Sequence, residues 1–208
     1  MNQANNCEFK YAIYGGSFDP IHRAHVILAD TAVKQLGLNE LYFMPANVSP
    51  FKLDTIGNQT SASDRYAMIE GILHYNYAFR ISDYELKKEG PSYTIETLDH
   101  WNENKEGKLY FILGGDSIVE IDKWYHGADI LRKFPLVTNI RPGSDVSEAY
   151  GKIDEYRAKY GAEIHMLNMP PMDVSSTDIR NNIAEGISIA DLVMPETEEY
   201  ISEHNLYK

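Results

Sequence analysis

The fold is decided by residues 15–25, which read GGSFDPIHRAH. They follow a short β-prone run, residues 9–14, and they precede apolar residues that recur at helical spacing over residues 26–36. The stretch therefore predicts a strand, a glycine turn and a helix. Paired glycines let backbone approach a ligand closely, and the amino end of a helix favours phosphate groups.

The alternation of strand and helix continues along the chain. Further strand-like runs fall at residues 41–44, 78–86, 109–113, 135–140 and 163–167. Helical patterns separate several of these runs, and Pro195 begins a last helix that covers the core and extends to about His204. This order predicts an α/β fold, a Rossmann-like doubly wound parallel sheet with helices on both faces and a C-terminal helical segment.

Composition narrows the class of protein. A length of 208 residues predicts a single domain over residues 1–208. The net charge of −12 argues against a general grip on nucleic acid, and no apolar run approaches the roughly 20 residues of a membrane span. A single cysteine, Cys7, excludes a disulfide within the chain. We therefore expect a cytoplasmic protein with neither a nucleic acid nor a membrane as partner.

His22 and His25, three residues apart, are expected on one face of the first helical turn, where two imidazoles can face one phosphate. Helix capping, core packing and a zinc pair are the alternatives, and zinc would need a third ligand that this spacing does not supply. The stretch lacks the Gly-Lys-Ser/Thr of the nucleotide P-loop, and it is not the GxGxxG fingerprint.

A second stretch, residues 174–180, reads VSSTDIR after a strand-like run and two prolines. Its hydroxyls open a helix, and Arg180 adds a planar cation suited to phosphate oxygens. Ser175 with Asp178 also fits a simple capping box, and both interpretations can hold together. Ser61 with Asp64 fits the same capping pattern.

The pairing of GGSFDPIHRAH with SSTDIR resembles the nucleotidyltransferase superfamily, which transfers adenylyl or cytidylyl groups. Three middle segments, GPSYT at residues 90–94, GGDS at 114–117 and KWY at 123–125, resemble the bacterial nicotinate mononucleotide adenylyltransferases. The likeness spans nearly the whole chain. It implies an enzyme that joins ATP and nicotinate mononucleotide into nicotinate adenine dinucleotide and pyrophosphate in NAD biosynthesis.

The resemblance also implies the residues of the site. His22, His25 and Arg180 would be catalytic. ATP would meet Gly15, Gly16, Ser17, Phe18, Asp19, His22, His25, Gly114, Asp116, Ser175, Ser176, Thr177 and Arg180. The mononucleotide would meet Asn47, Lys52, Tyr93, Thr94, Asp116, Trp124 and Tyr125, with its pyridine ring stacked on the tryptophan. Mg²⁺ would be held mainly through ATP phosphates, with no dedicated protein metal site. Homo-oligomerisation is left open.

The sequence departs from the family pattern at four positions. Ser17 replaces threonine, Ala24 replaces glycine, Ala46 replaces asparagine and Phe51 replaces histidine. Alternatives to the implied function are an adenylyltransferase for another phosphate acceptor, a nucleotide-binding sensor without turnover, and a zinc hydrolase built on His22 and His25.

Overall fold

The computed structural model describes residues 8–47, 60–140 and 146–208. Within these ranges lie the strands β1 (Lys10–Gly16), β2 (Glu40–Pro45), β3 (Phe79–Ile81), β4 (Lys108–Ile112), β5 (Leu136–Thr138) and β6 (Ile164–Met166). They form one sheet in the order β3-β2-β1-β4-β5-β6, and every neighbouring pair is parallel. The strand order reverses between β1 and β4, which is the switch point of a doubly wound sheet.

Helices separate the strands along the chain. The α-helices are α1 (Arg23–Leu36), α2 (Ala62–Gly71), α3 (Thr94–Asn104), α4 (Gly115–Ile118), α5 (Gly127–Lys133), α6 (Val146–Tyr160), α7 (Ser176–Ala184) and α8 (Pro195–Glu203). Short 3₁₀ turns at Leu73–Tyr75 and Ile121–Lys123 complete the pattern. The predicted last helix is confirmed as α8, which begins with a proline in its first turn.

Both faces of the sheet are buried, as the prediction requires. In β1, Tyr11 and Ile13 belong to one apolar cluster while Ala12 and Tyr14 belong to the other, because successive side chains of a strand point to opposite faces. Helices α1, α2, α7 and α8 contribute to the second cluster, and α3, α4, α5 and α6 contribute to the first. The α/β, doubly wound prediction is confirmed.

The third strand is shorter than predicted. Residues 78–86 were expected to be extended, but β3 stops at Ile81 and pairs with β2 over three residues. Beyond it the backbone turns, and the N–H of Lys87 donates to the carbonyl of Asp83 at 3.1 Å. Tyr84 packs against the core from this turn rather than from a strand, so the prediction of a longer strand was wrong.

Some expectations fall on residues outside the described ranges. They concern Cys7, Phe51 and Lys52. The sequence also predicts two long loops, at residues 46–60 and 141–146, and most of each lies outside the described ranges. Among the described helices, none has the length and apolar composition needed to cross a membrane.

Candidate active site

Two cavities open at the carboxyl ends of β1 and β4. The larger has a volume of about 550 Å³ and the smaller about 180 Å³. Both are bordered by Gly15, Gly16, Asp116 and Ser117, so they meet at the end of β1 and the start of α4. This is the position where ligands bind in a doubly wound sheet, at the switch in strand order.

The smaller cavity contains the histidine pair. The rings of His22 and His25 stack with centroids 3.5 Å apart, and His22 is only 2% exposed. The backbone N–H of His22 donates to Nδ1 of His25 at 3.3 Å. Because Nδ1 accepts, the neutral His25 ring has its proton on Nε2. His25 therefore helps to cap α1, as the helix-capping alternative predicted, and it also borders the cavity.

The two sequence motifs meet in space although more than 150 residues separate them. Ser176 Oγ donates to the carbonyl of Pro20 at 2.9 Å, and Arg180 Nη1 donates to the carbonyl of Asp19 at 2.7 Å. Arg180 Nη2 also donates to Thr177 Oγ1 at 3.2 Å. Of the second motif, Ser175, Ser176, Thr177 and Arg180 border neither cavity. Ser176 and Arg180 hold the backbone that follows the paired glycines.

The larger cavity contains the residues expected at the pyridine ring. Tyr93, Thr94, Trp124 and Tyr125 all border it. Thr94 is the first residue of α3, and the rings of Tyr93 and Tyr125 lie 4.5 Å apart at the wall. Trp124 is half-buried and meets Phe111 edge to face, with centroids 6.4 Å apart. It packs against the core and also borders the cavity.

Three side chains that were expected to contact a ligand make other contacts instead. Phe18 is buried in the core at 2% exposure, and Asp19 is 6% exposed with its carboxylate in a buried hydrogen-bond network. Asn47 Nδ2 donates to the carbonyl of Lys88 at 2.9 Å. None of the three side chains borders either cavity. Any contact of Phe18 or Asp19 with ATP must be made by the backbone.

Three of the four substituted positions are described, and Ser17 borders the larger cavity rather than the smaller one. Ala24 borders the smaller cavity beside the histidines, where a methyl group narrows the space that glycine would leave. Ala46 borders the larger cavity, and its carbonyl accepts a hydrogen bond from Arg65 Nη1 at 2.8 Å.

Glycine is required at Gly115, which begins α4. A Cβ there would lie 2.5 Å from the carbonyl oxygen of Asn139, which follows β5. Gly16 has a milder constraint, since its Cβ would lie 3.1 Å from the Phe18 ring. The glycines therefore allow strand ends and loops to pack closely around the two cavities.

Sequence reasoning missed a buried polar group in the larger cavity. Glu85, Ser92 and Thr97 border it and are each less than a tenth exposed. The Thr97 hydroxyl donates to Glu85 Oε1 at 2.7 Å. Burial raises the pKa of the Glu85 carboxyl, and the Thr97 hydrogen bond opposes part of that rise. Thr97 lies one helical turn after Thr94, and that spacing could have indicated that it faces the same cavity. Glu85 was missed because it falls within the strand that was predicted over residues 78–86.

Metal ligands are sparse around the site. Across the described ranges, no group of three His, Cys, Asp or Glu side chains is arranged to hold a metal ion. Where the cavities meet, the shared wall offers the carboxylate of Asp116. One carboxylate fits a Mg²⁺ ion whose other ligands are phosphate oxygens and water.

Comparisons with known proteins agree on one family. A family model described as cytidylyltransferase-like matches residues 13–182. A protein of Caldicellulosiruptor saccharolyticus, described as a probable nicotinate-nucleotide adenylyltransferase, is 39% identical over 199 residues, which is 96% of this chain and 99% of that protein. A protein of Clostridium acetobutylicum with the same description is 38% identical, over 95% of this chain and 98% of its own length.

Solved structures share the fold. Nicotinic acid mononucleotide adenylyltransferase of Plasmodium falciparum, complexed with NaAD, matches with a TM-score of 0.75 at 22% identity. The match covers 96% of this chain and 97% of that one. The same enzyme complexed with APC matches with a TM-score of 0.73.

Proposed function

The chain belongs to the nicotinate-nucleotide adenylyltransferase family, and from that premise we propose how its two cavities are used. The chain joins ATP and nicotinate mononucleotide to give nicotinate adenine dinucleotide and pyrophosphate, a step in NAD biosynthesis. ATP occupies the smaller cavity and the mononucleotide occupies the larger. One observation supports this division: the cavities share the wall of Gly15, Gly16, Asp116 and Ser117, where two bound phosphates would meet. The reaction takes place in the cytoplasm.

The transfer is a direct in-line displacement. A phosphate oxygen of the mononucleotide forms a bond to the α-phosphorus of ATP, the bond from that phosphorus to the bridging oxygen breaks, and pyrophosphate leaves with the bond electrons. The attacking group is already an anion, so no side chain needs to remove a proton. Positioning and stabilisation of charge then supply the rate.

The chain contributes hydrogen-bond donors to the phosphates from the start of α1. His22 and His25 lie at the start of α1 and border the ATP cavity, where their ring N–H groups face the oxygens of the α-phosphate. The amino end of α7 borders neither cavity, so Ser176 acts through its hydrogen bond to the Pro20 carbonyl. Arg180 acts here by holding the backbone of Asp19 in place.

Mg²⁺ supplies charge neutralisation on the ATP phosphates when it is bound. Asp116 is the side chain on the shared wall that would hold it, directly or through water.

Pyrophosphate release with ATP and Mg²⁺ tests the proposal, with four acceptors compared side by side: nicotinate mononucleotide, nicotinamide mononucleotide, phosphopantetheine and flavin mononucleotide. We expect strong preference for the nicotinate form. His25→Ala is the control, and we expect its kcat to fall by about 10²-fold with little change in the KM for the mononucleotide.

Each other outcome is informative. Activity on phosphopantetheine or flavin mononucleotide alone would retain the ATP site and remove the pyridine assignment of the larger cavity. Silence with all four acceptors, together with measurable ATP binding, would indicate a nucleotide sensor instead. A His25→Ala variant with equal losses in kcat and in affinity for the mononucleotide would contradict the role given to His25.

A further inference from the structure

Side chains from two helices that are distant in sequence donate hydrogen bonds to the backbone after the paired glycines. We call residues 15–20 the glycine loop. The carbonyls of Ser17, Asp19 and Pro20 accept hydrogen bonds from Arg65, Arg180 and Ser176, at 2.8, 2.7 and 2.9 Å respectively. These donors lie on α2 and α7. The shape of the glycine loop at the cavities therefore depends on contacts outside them.

Tyr207, beyond the end of α8, adds a contact of another kind. Its hydroxyl donates to Asp19 Oδ1 at 2.7 Å, while the backbone N–H of Thr60 donates weakly to Oδ2 at 3.4 Å. Asp19 is only 6% exposed, so its carboxylate depends on these donors. The hydroxyl of Tyr207 is the shorter and stronger of the two contacts.

The charges and the burial around Asp19 favour its hydrogen bond with Tyr207. Arg65 is 2% exposed, and its guanidinium lies close enough to Asp19 for charge attraction. Burial first, and then the charge of Asp19, raise the pKa of Tyr207, so the hydroxyl keeps its proton and remains a donor.

The backbone of the same segment is strained. Tyr207 has a φ of 63°, in the left-handed region that a bulky non-glycine residue rarely adopts. Such conformations persist where surrounding contacts determine them. The hydrogen bond to Asp19 and the packing of the Tyr207 ring against the core hold the backbone of Tyr207 in this conformation.

We propose that Tyr207 is a positioning residue for the glycine loop, holding Asp19 so that the backbone of residues 15–20 keeps the shape that receives the phosphates of ATP. The proposal rests on the function proposed above. It adds that the segment after α8, far from both cavities in sequence, sets the affinity of the ATP site.

Tyr207→Phe tests the proposal because it removes the hydroxyl and keeps the ring. Tyr200→Phe is the matched control, since the Tyr200 hydroxyl donates to Asp64 Oδ1 at 3.0 Å instead of to the glycine loop. We expect Tyr207→Phe to raise the KM for ATP about tenfold and to leave the KM for the mononucleotide within about twofold. Tyr200→Phe should leave both within about twofold.

Amide hydrogen exchange of the ligand-free full chain separates this proposal from the proposed function. We expect exchange over residues 15–22 to be about tenfold faster in Tyr207→Phe than in Tyr200→Phe, with exchange in β4 and β5 unchanged. Equal exchange in the two variants would overturn the proposal, whatever the wild type does with ATP. So would equal rises in both KM values, which indicate general loosening. Faster loop exchange in a protein that is silent with all acceptors would contradict the proposed function alone.

Discussion

Trp124 borders the larger cavity and also packs against the core. A pyridinium ring that stacks on the exposed side is attracted to the π-face, an interaction of about 1–2 kcal/mol when partly desolvated. We expect Trp124→Ala to raise the KM for nicotinate mononucleotide about tenfold and to leave the KM for ATP within about twofold. Steady-state kinetics with each substrate varied in turn measures both.

The second tryptophan provides a control for that prediction. Trp101 lies on α3, packs against the core and borders neither cavity. In a Trp101→Phe protein, added mononucleotide should change the fluorescence of Trp124, and a Trp124→Phe protein should show no such change. An unchanged mononucleotide KM in Trp124→Ala would remove this residue from the site.

Glu85 makes a prediction about pH. Because burial raises its pKa in the folded state, the folded chain binds that proton more tightly than the unfolded chain. Stability is therefore lost as pH rises from the ordinary carboxyl range through the raised pKa of Glu85. Glu85→Gln has no such proton and keeps an oxygen to accept the Thr97 hydroxyl. Its melting temperature should match that of the wild type near about pH 4 and exceed it by a few degrees near about pH 8.

Thermal unfolding at a series of pH values measures that difference. Glu89→Gln, at an exposed position in the same connection, is the control for a change of net charge. A difference between Glu85→Gln and wild type that stays constant with pH would contradict the raised pKa of Glu85.

At the scale of elements, two adjacent serines at the start of α7 have separate roles. Ser175 accepts the N–H of Asp178 at 3.1 Å and caps the helix, whereas Ser176 donates to the Pro20 carbonyl and ties the helix to the glycine loop. Ser175→Ala should lower the free energy of unfolding by about 1 kcal/mol and change the KM for ATP little. Ser176→Ala should raise the KM for ATP about threefold.

Chemical denaturation measures the free energy of unfolding of both variants, and steady-state kinetics measures their KM for ATP. If Ser175→Ala raised the KM for ATP as much as Ser176→Ala does, then helix stability, rather than the link to the loop, would set the affinity for ATP.

At the scale of the whole molecule, the strand order brings two substrate cavities to one wall. β1 lies beside β4, so Gly15 and Gly16 at one strand end face Asp116 and Ser117 after the other. A change at that wall should affect both substrates. We expect Asp116→Asn to raise the KM values for ATP and for the mononucleotide together, each by about three- to tenfold.

Glu120→Gln is the control, because Glu120 borders the larger cavity alone. Steady-state kinetics with each substrate varied in turn measures the two KM values of both variants. If Asp116→Asn changed one KM only, the shared wall would not be where the two substrates meet.

Local patterns in the sequence determined much of this protein. The strand, glycine turn and helix at residues 9–36 follow from apolar spacing and paired glycines, and the caps at Ser61 and Ser175 follow from hydroxyl residues three positions before an aspartate. The family resemblance rested on motifs of this kind. Such features depend on neighbours within a few residues, so the sequence displays them directly.

The tertiary structure decided the rest. That Arg180 holds the backbone of Asp19, that Thr97 donates to a buried Glu85, and that Tyr207 donates to Asp19 depend on where separate elements lie against one sheet. The physical reason is that burial and long-range hydrogen bonds are set by strand order and packing, which bring together residues up to 188 positions apart. No local period encodes those pairs.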